Sequence, residues 1–386
     1  MLINHIVSKL RSYFSDSLTA SQERLIRLLA EYTLDEEDDA LLILRGYAGT
    51  GKTTALSAYV SMLADMKMKS VLLAPTGRAA KVFSHYSGMP AYTIHKKIYR
   101  QKSSKDGFGK FLLDKNLHTR TFFIVDEASM LTNQQQESSV FGSGRLLEDL
   151  LEYVYNGKGC KLILAGDIAQ LPPVGLDTSP ALDTSTMEKY SEKIFEENLT
   201  EVVRQDQTSG ILHNATIIRR RIDEEHYRFP FIELNSFTDI RAVSSADLIE
   251  TLSDNYDRFG VEETIVICRS NKRAIKYNAG IRNSILWREE ELVPGDLLMV
   301  VKNNYYWLQD EYAFDFIANG DIIEVIRIHK YQELYGYHYA DCTLRLIDYN
   351  VEIDAKILLD ALYEEAPALS TEKNKEMFYS ILELNR

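Results

Sequence analysis

Short apolar runs recur through the first half of the chain, near residues 41–45, 70–74, 121–125 and 161–165, with stretches of helical periodicity between them. Ala40 to Leu44, Thr121 to Val125 and Lys161 to Ala165 have the length and composition of buried strands, while Ala55 to Asp65 repeats its apolar residues at helical spacing. Strands alternating with helices predict an α/β fold with a parallel sheet, whose ligands lie at the strands' carboxyl ends. A second α/β region is expected from about Asp206, with a strand over Thr264 to Cys268 and a helix containing Tyr277 and Asn278. From Pro294 the pattern becomes β: Leu297 to Val301 and Leu344 to Ile347 read as strands, and an Asn319-Gly320 turn precedes another. The tail from Ala355 to Arg386 is helical in character, Leu2 and Ile3 open an amphipathic helix, and the acids from Asp35 to Asp39 read as a solvated loop.

Composition narrows the class. The 386 residues are enough for two to three domains. The cysteines Cys160, Cys268 and Cys342 are far apart, lack metal-ligand spacing and read as reduced, buried thiols. No run is long and apolar enough to span a bilayer and no charged-then-apolar leader opens the chain, so a cytoplasmic location is expected. The net charge of −13 counts against nucleic-acid binding over the whole surface, although a local strip of phosphate contacts stays compatible with it.

Candidate chemistry begins at Gly46-Tyr47-Ala48-Gly49-Thr50-Gly51-Lys52-Thr53-Thr54, which satisfies the P-loop pattern through Gly46, Gly51, Lys52 and Thr53, between a strand and a helix. Its glycines let backbone N–H groups turn onto phosphate oxygens, and the helix N-terminus adds its positive end. Lys52 then neutralises the β- and γ-phosphates of ATP and Thr53 offers a hydroxyl to Mg²⁺, with Gly49, Thr50 and Thr54 in the same cradle.

The run Thr121 to Val125, read as a neighbour of the P-loop strand, ends in Asp126 and Glu127. Two solvated acids closing a strand are common. Downstream of a complete P-loop, however, Asp126 can hold Mg²⁺, directly or through water, and Glu127 can deprotonate a water attacking the γ-phosphate. This favours ATP hydrolysis over phosphoryl transfer to a small molecule. The third strand leads into Gly166-Asp167-Ile168-Ala169-Gln170-Leu171-Pro172-Pro173, where Gln170 can sense a γ-phosphate and the prolines stiffen the exit.

With this run the chain resembles the superfamily 1 DNA helicases, more closely the RecD-like and Dda-like 5′-to-3′ group. Leu18 to Gln22 is similar to the Q motif, residues 73–80 to motif Ia, Thr93 to His95 to motif Ib, Asp126-Glu127 to motif II, residues 166–173 to motif III and Leu199 to Gln205 to motif IV. The resemblance implies that Gln22 reads adenine, that Gln170 and Arg204 touch the γ-phosphate, and that Pro75, Thr76, Thr93, His95 and Asn271 meet single-stranded DNA. Unaided, His95 reads as a polar residue at a helix start and Arg204 as an ion-pair partner of Glu201 or Asp206.

The implied architecture is a RecA-like P-loop domain over 1–205, a second, incomplete RecA-like domain from 206 to 300, and an SH3-like barrel with its following segment over 301–386. A small strand-separating pin falls within 96–120, where the basic insert with Asp106-Gly107 reads equally as a solvated loop. Tyr305, Tyr306 and Trp307 read as barrel core before base-stacking residues. Arg219, Arg220 and Arg221 read as a solvated helix face, because Asp223, Glu224 and Glu225 follow.

The implied activity is ATP-dependent translocation on single-stranded DNA and unwinding at duplex junctions, in DNA repair or recombination. The family's late motifs, which include a second γ-phosphate arginine, do not occur before Arg386. The chain is therefore expected to be truncated and its own activity impaired. The alternatives are a nucleotide- and DNA-binding module without turnover, or an unrelated P-loop kinase or ATPase.

Overall fold

The computed structural model describes residues 2–14, 17–101, 111–135, 141–202, 209–223, 229–234, 237–301, 304, 317 and 319–363. The chain divides into two units, Met1–Ile240 and Arg241–Arg386.

The first unit opens with α1 (Leu2–Arg11) and α2 (Ala20–Leu34), followed by β1 (Leu41–Gly46), α3 (Lys52–Asp65), β2 (Lys69–Ala74) and α4 (Gly77–Ser87). Next come β3 (Ala91–Thr93), α5 (Ile94–Ile98), β4 (Tyr99–Gln101), β5 (Phe111–Leu113) and β6 (Thr121–Val125). The unit continues through α6 (Leu146–Tyr155), β7 (Lys161–Gly166), α7 (Thr184–Met187), β8 (Ile194–Leu199) and α8 (Gly210–Asp223).

Six strands form one parallel sheet in the order β3-β2-β6-β7-β1-β8. All four strands expected from the apolar runs are in it. One expectation is corrected: β6 does not neighbour the P-loop strand β1, because β7 lies between them.

Strand side chains alternate between two cores, as the period of two requires. Leu42, Leu44, Ile124 and Ile163 pack beneath α1, α2 and α3, where Leu25, Leu29, Leu56, Tyr59 and Leu63 are buried. Leu41, Ile43, Phe123, Val125, Leu162 and Leu164 face the other way, onto α5 and α6 through Ile94, Ile98, Leu147 and Leu150. A sheet covered on both faces leaves its carboxyl edge as the place where polar loops converge. Beside it β4 and β5 pair antiparallel through Tyr99↔Leu113 and Arg100↔Leu112. Asp106-Gly107, within the insert joining them, lies outside the described residues.

The second unit contains α9 (Leu248–Phe259), α10 (Asn271–Ser284), β9 (Leu297–Met299), β10 (Ile322–Leu334), β11 (Tyr337–Leu346) and β12 (Val351–Leu358). Its four strands form an antiparallel sheet in the order β12-β11-β10-β9. Val325, Ala340, Cys342, Leu344, Leu346 and Ile353 form its core.

Two expectations fail here. Thr264 to Cys268 is not a strand: it has no sheet partner among the described residues, and Ile265 and Ile267 are exposed. The segment from Ala355 is not helical at its start, because Val351, Ile353, Ala355 and Ile357 alternate along β12 against β11. Residues 364–386, and Tyr305 to Trp307, lie outside the described residues. Of the cysteines, Cys160 and Cys342 are buried free thiols, whereas Cys268 is only half-buried. Among the described residues no helix is long and apolar enough to cross a membrane.

Candidate functional site

The P-loop turns from β1 into α3 at Gly51, whose φ of 87° places it in the left-handed region that glycine adopts without cost. A side chain there would also meet the Gln22 amide nitrogen at 2.7 Å. Gln22 is buried, and its amide is committed at both ends. Its oxygen accepts from Thr19 N at 3.0 Å in a capping box for α2, and its nitrogen donates to the Thr50 carbonyl at 3.1 Å. Gln22, the residue expected to read adenine, also braces the start of α2 against the phosphate loop.

Lys52 sits at the start of α3, and its ammonium donates to the carbonyls of Gly46 and, at 3.1 Å, Tyr47. Burial pulls its pKa down, while Asp167, Asp126 and Glu127 pull it back up. Neither carbonyl carries a formal charge, so a phosphate would displace them at little cost.

Asp126 follows β6, buried, with its backbone N–H bonded to the Leu73 carbonyl at 3.0 Å. Its carboxylate accepts from the Thr53 hydroxyl at 3.1 Å and from Glu127 N at 2.9 Å. Burial nonetheless pushes its pKa up, against the pull of Glu127 N–H, Thr53 and Lys52. Its charge is under-compensated by the protein alone.

Glu127 adopts a left-handed backbone, φ 55°, which costs a non-glycine residue on the order of 1 kcal/mol. Burial raises its pKa, and Asp126 adds to the rise; Lys52 and a hydrogen bond from Gln170 oppose it. Gln170 also accepts from the Ser129 hydroxyl at 3.4 Å, so the loop after β7 is tied to the acids after β6. The two backbones approach closely at Gly166, where a Cβ would lie 2.8 Å from Ser129 N.

Sequence reasoning did not place Asp167. It is buried at the end of β7, accepts from Ala169 N at 2.8 Å and acts on Lys52. The available signal was its position: it follows β7 directly, as Asp126 follows β6.

Lys52, Thr53, Asp126, Glu127 and Gln170 therefore come together at the carboxyl edge of the sheet, with Gly46, Gly49, Thr50 and Gly51 around them. Thr54, next to Thr53 in the first turn of α3, is exposed. Arg204 lies outside the described residues.

Of the residues matched to strand contacts, Pro75, Thr76, Thr93 and His95 occupy the same edge, further along. Thr76 and Thr93 are the N-caps of α4 and α5, accepting from Ala79 N and Lys96 N at 3.2 Å each, which leaves each hydroxyl proton to donate elsewhere. Pro75 precedes Thr76 after β2. His95 packs edge-on against Phe141, ring centroids 4.9 Å apart, and near Tyr99. Burial pulls its pKa down to about 4 against the attraction of Asp149, so it is neutral at pH 7 and offers no charge to a phosphate. The cations there are Lys96 and Lys97, over the ring of the exposed Tyr92 at 5.5 and 5.9 Å. Asn271 belongs to the second unit, as the first residue of α10 behind the cap Ser270.

The family model described as AAA domain matches residues 17–225. Over 134 residues the chain is 31% identical to the ATP-dependent RecD2 DNA helicase of Deinococcus radiodurans, covering 35% of this chain and 16% of that protein. Over 336 residues it is 23% identical to the ATP-dependent DNA helicase dda of Enterobacteria phage T4, covering 81% and 68%. Among solved structures, the Pif1 helicase from Bacteroides in complex with ADP-AlF3 and ssDNA aligns with 88% of this chain and 74% of that one, at 17% identity and a TM-score of 0.43. The chain thus spans about two thirds of the phage relative and a small part of the bacterial one. With more than half of its length matched by the family model, the chain belongs to the AAA domain family, and it is similar to the RecD2, dda and Pif1 helicases.

Proposed function

We propose that the protein is an ATP-dependent DNA helicase or translocase that hydrolyses ATP while bound to single-stranded DNA, moves 5′ to 3′ and separates duplexes at junctions. The observation that carries this reading is the convergence of Lys52, the Thr53–Asp126 pair at 3.1 Å, Glu127 and Gln170 on one edge of the sheet.

The P-loop amides and Lys52 take the phosphates of ATP. Thr53 and Asp126 supply two adjacent oxygen donors, and the raised pKa of Asp126 marks a buried carboxylate that a cation would compensate, so the pair suits Mg²⁺. When bound, Mg²⁺ supplies charge neutralisation on the β- and γ-phosphates. Glu127 accepts a proton from the attacking water as its oxygen bonds to the γ-phosphorus and the bond to the β–γ bridging oxygen breaks, giving ADP and phosphate. Gln170 fixes the orientation of Glu127. We assign Arg204 to the γ-phosphate by its place in motif IV.

On the DNA side, the hydroxyls of Thr76 and Thr93 donate to phosphates, Pro75 and His95 form the wall behind them, and Lys96 and Lys97 supply charge. Asn271 is assigned to the second motor domain. The β9–β12 sheet is read as part of an SH3-like barrel, and the β4–β5 pair as the base of a pin.

Salt dependence tests the DNA assignment. With Lys96 and Lys97 each neutralising one phosphate, log K for a single-stranded oligonucleotide should fall with log salt at a slope of about −1.4. His95→Ala should weaken that binding without altering the affinity for an ATP analogue. An affinity independent of salt would remove the assignment.

A further inference from the structure

Within the arginine run on α8, expected as a solvated face, Arg220 is exposed but Arg219 is not simply solvated. The start of α8 is anchored firmly: Gly210 N donates to Asp239 at 2.9 Å, and the buried Asn214 donates to the carbonyls of Gly210 at 2.8 Å and Glu233 at 2.9 Å. Asn214 also accepts from Glu233 N at 2.7 Å. Two turns further along the helix, the half-buried Arg219 places its guanidinium carbon 4.7 Å from the centroid of the Tyr47 ring. Tyr47 is the second residue of the P-loop, and its carbonyl accepts from Lys52. Tyr47 therefore has a cation on each side, Lys52 at its backbone and Arg219 on its ring. The two cations sense each other, since Arg219 is among the charges that lower the Lys52 pKa. Among the described residues Arg219 forms no ion pair, whereas Arg24, Arg45, Arg282 and Arg288 each have a carboxylate.

We propose that Arg219 is a second phosphate-binding cation of the nucleotide site, held on the Tyr47 ring and delivered to the terminal phosphate of a bound nucleoside triphosphate. This rests on the nucleotide-site reading above. A guanidinium held over the ring by its carbon keeps N–H donors available for phosphate oxygens, and its planar fork suits bidentate contact with them. A cation–π contact is worth about 0.5–1 kcal/mol at such a site, less than a charge-assisted bond to phosphate, so the ring holds the guanidinium without trapping it. The terminal phosphate is the target because Tyr47 O is bonded to the Lys52 ammonium, the group that a P-loop gives to the β- and γ-phosphates. On this assignment a diphosphate lacks the oxygens that Arg219 would contact.

Equilibrium titration of the full chain with a fluorescent non-hydrolysable ATP analogue and with the matching ADP analogue tests this. Arg219→Ala should weaken the triphosphate on the order of tenfold, as expected for one charge-assisted contact, and change the diphosphate less than about twofold. Arg219→Lys, which keeps the charge but loses the planar fork, should show the same selective loss to a smaller degree and supplies the test if the alanine variant does not fold. Equal losses for the two nucleotides, or no loss for either, overturn the assignment while leaving the nucleotide site intact. Failure of the unaltered protein to bind either nucleotide overturns the nucleotide-site reading and this inference together.

Discussion

Glu127→Gln should bind an ATP analogue as tightly as the unaltered protein and lose turnover by a factor on the order of 10² to 10⁴. The amide keeps the shape and the hydrogen-bonding partners of Glu127 but cannot accept the proton of the attacking water. Binding survives because the phosphates are held by Lys52 and the loop amides. The same residue sets the acid limb of the rate. Its pKa is raised by burial, and the ionised form is the active one, so turnover should be complete above the raised pKa and fall as pH drops through it, at a pH above the ordinary carboxylate range. Steady-state hydrolysis against pH, beside fluorescence titration of the variant, reads both effects. Binding lost along with turnover would show that Glu127 is part of the cradle.

Lys52→Ala should behave in the opposite way. It removes the cation from the loop and should weaken ATP-analogue binding on the order of a hundredfold, the size of two charge-assisted contacts. It also leaves Asp126, Glu127 and Asp167, the three acids that act on Lys52, without that cation to offset the charge of an incoming phosphate. Circular dichroism separates this from unfolding, because the ammonium bonds only carbonyls at the end of β1 and in the loop after it, away from the cores. An unchanged affinity would mean that the phosphates sit elsewhere.

Much of the first unit was legible in the sequence because its inner strands are buried on both faces and read as continuous apolar runs. The edge strands were not. β8 carries Glu196 and Glu197, and β3 has only three residues, so neither shows an apolar run, yet both complete the sheet. The apolar run at Thr264 to Cys268 misled in the other direction. Composition predicts that such a run avoids water but names no partner, and Ile265 and Ile267 are exposed.

The nucleotide site was legible where its residues are contiguous, in the P-loop and in the acids after β6. Asp167 had a positional signal that went unused. Arg219 had none, because its relation to Tyr47 spans more than 170 residues and depends on how Asn214 and Asp239 anchor α8. His95 was placed correctly at a helix start, but only its packing against Phe141 shows it to be neutral.

The coupling of nucleotide to DNA is the centre of this account, and ATP hydrolysis measured with and without a single-stranded oligonucleotide tests it most directly. A rate that rises with oligonucleotide, saturates at the concentration where binding saturates, and disappears in Glu127→Gln is the predicted result. Hydrolysis indifferent to DNA, DNA binding without any hydrolysis, or transfer of the phosphate to a small acceptor would contradict it.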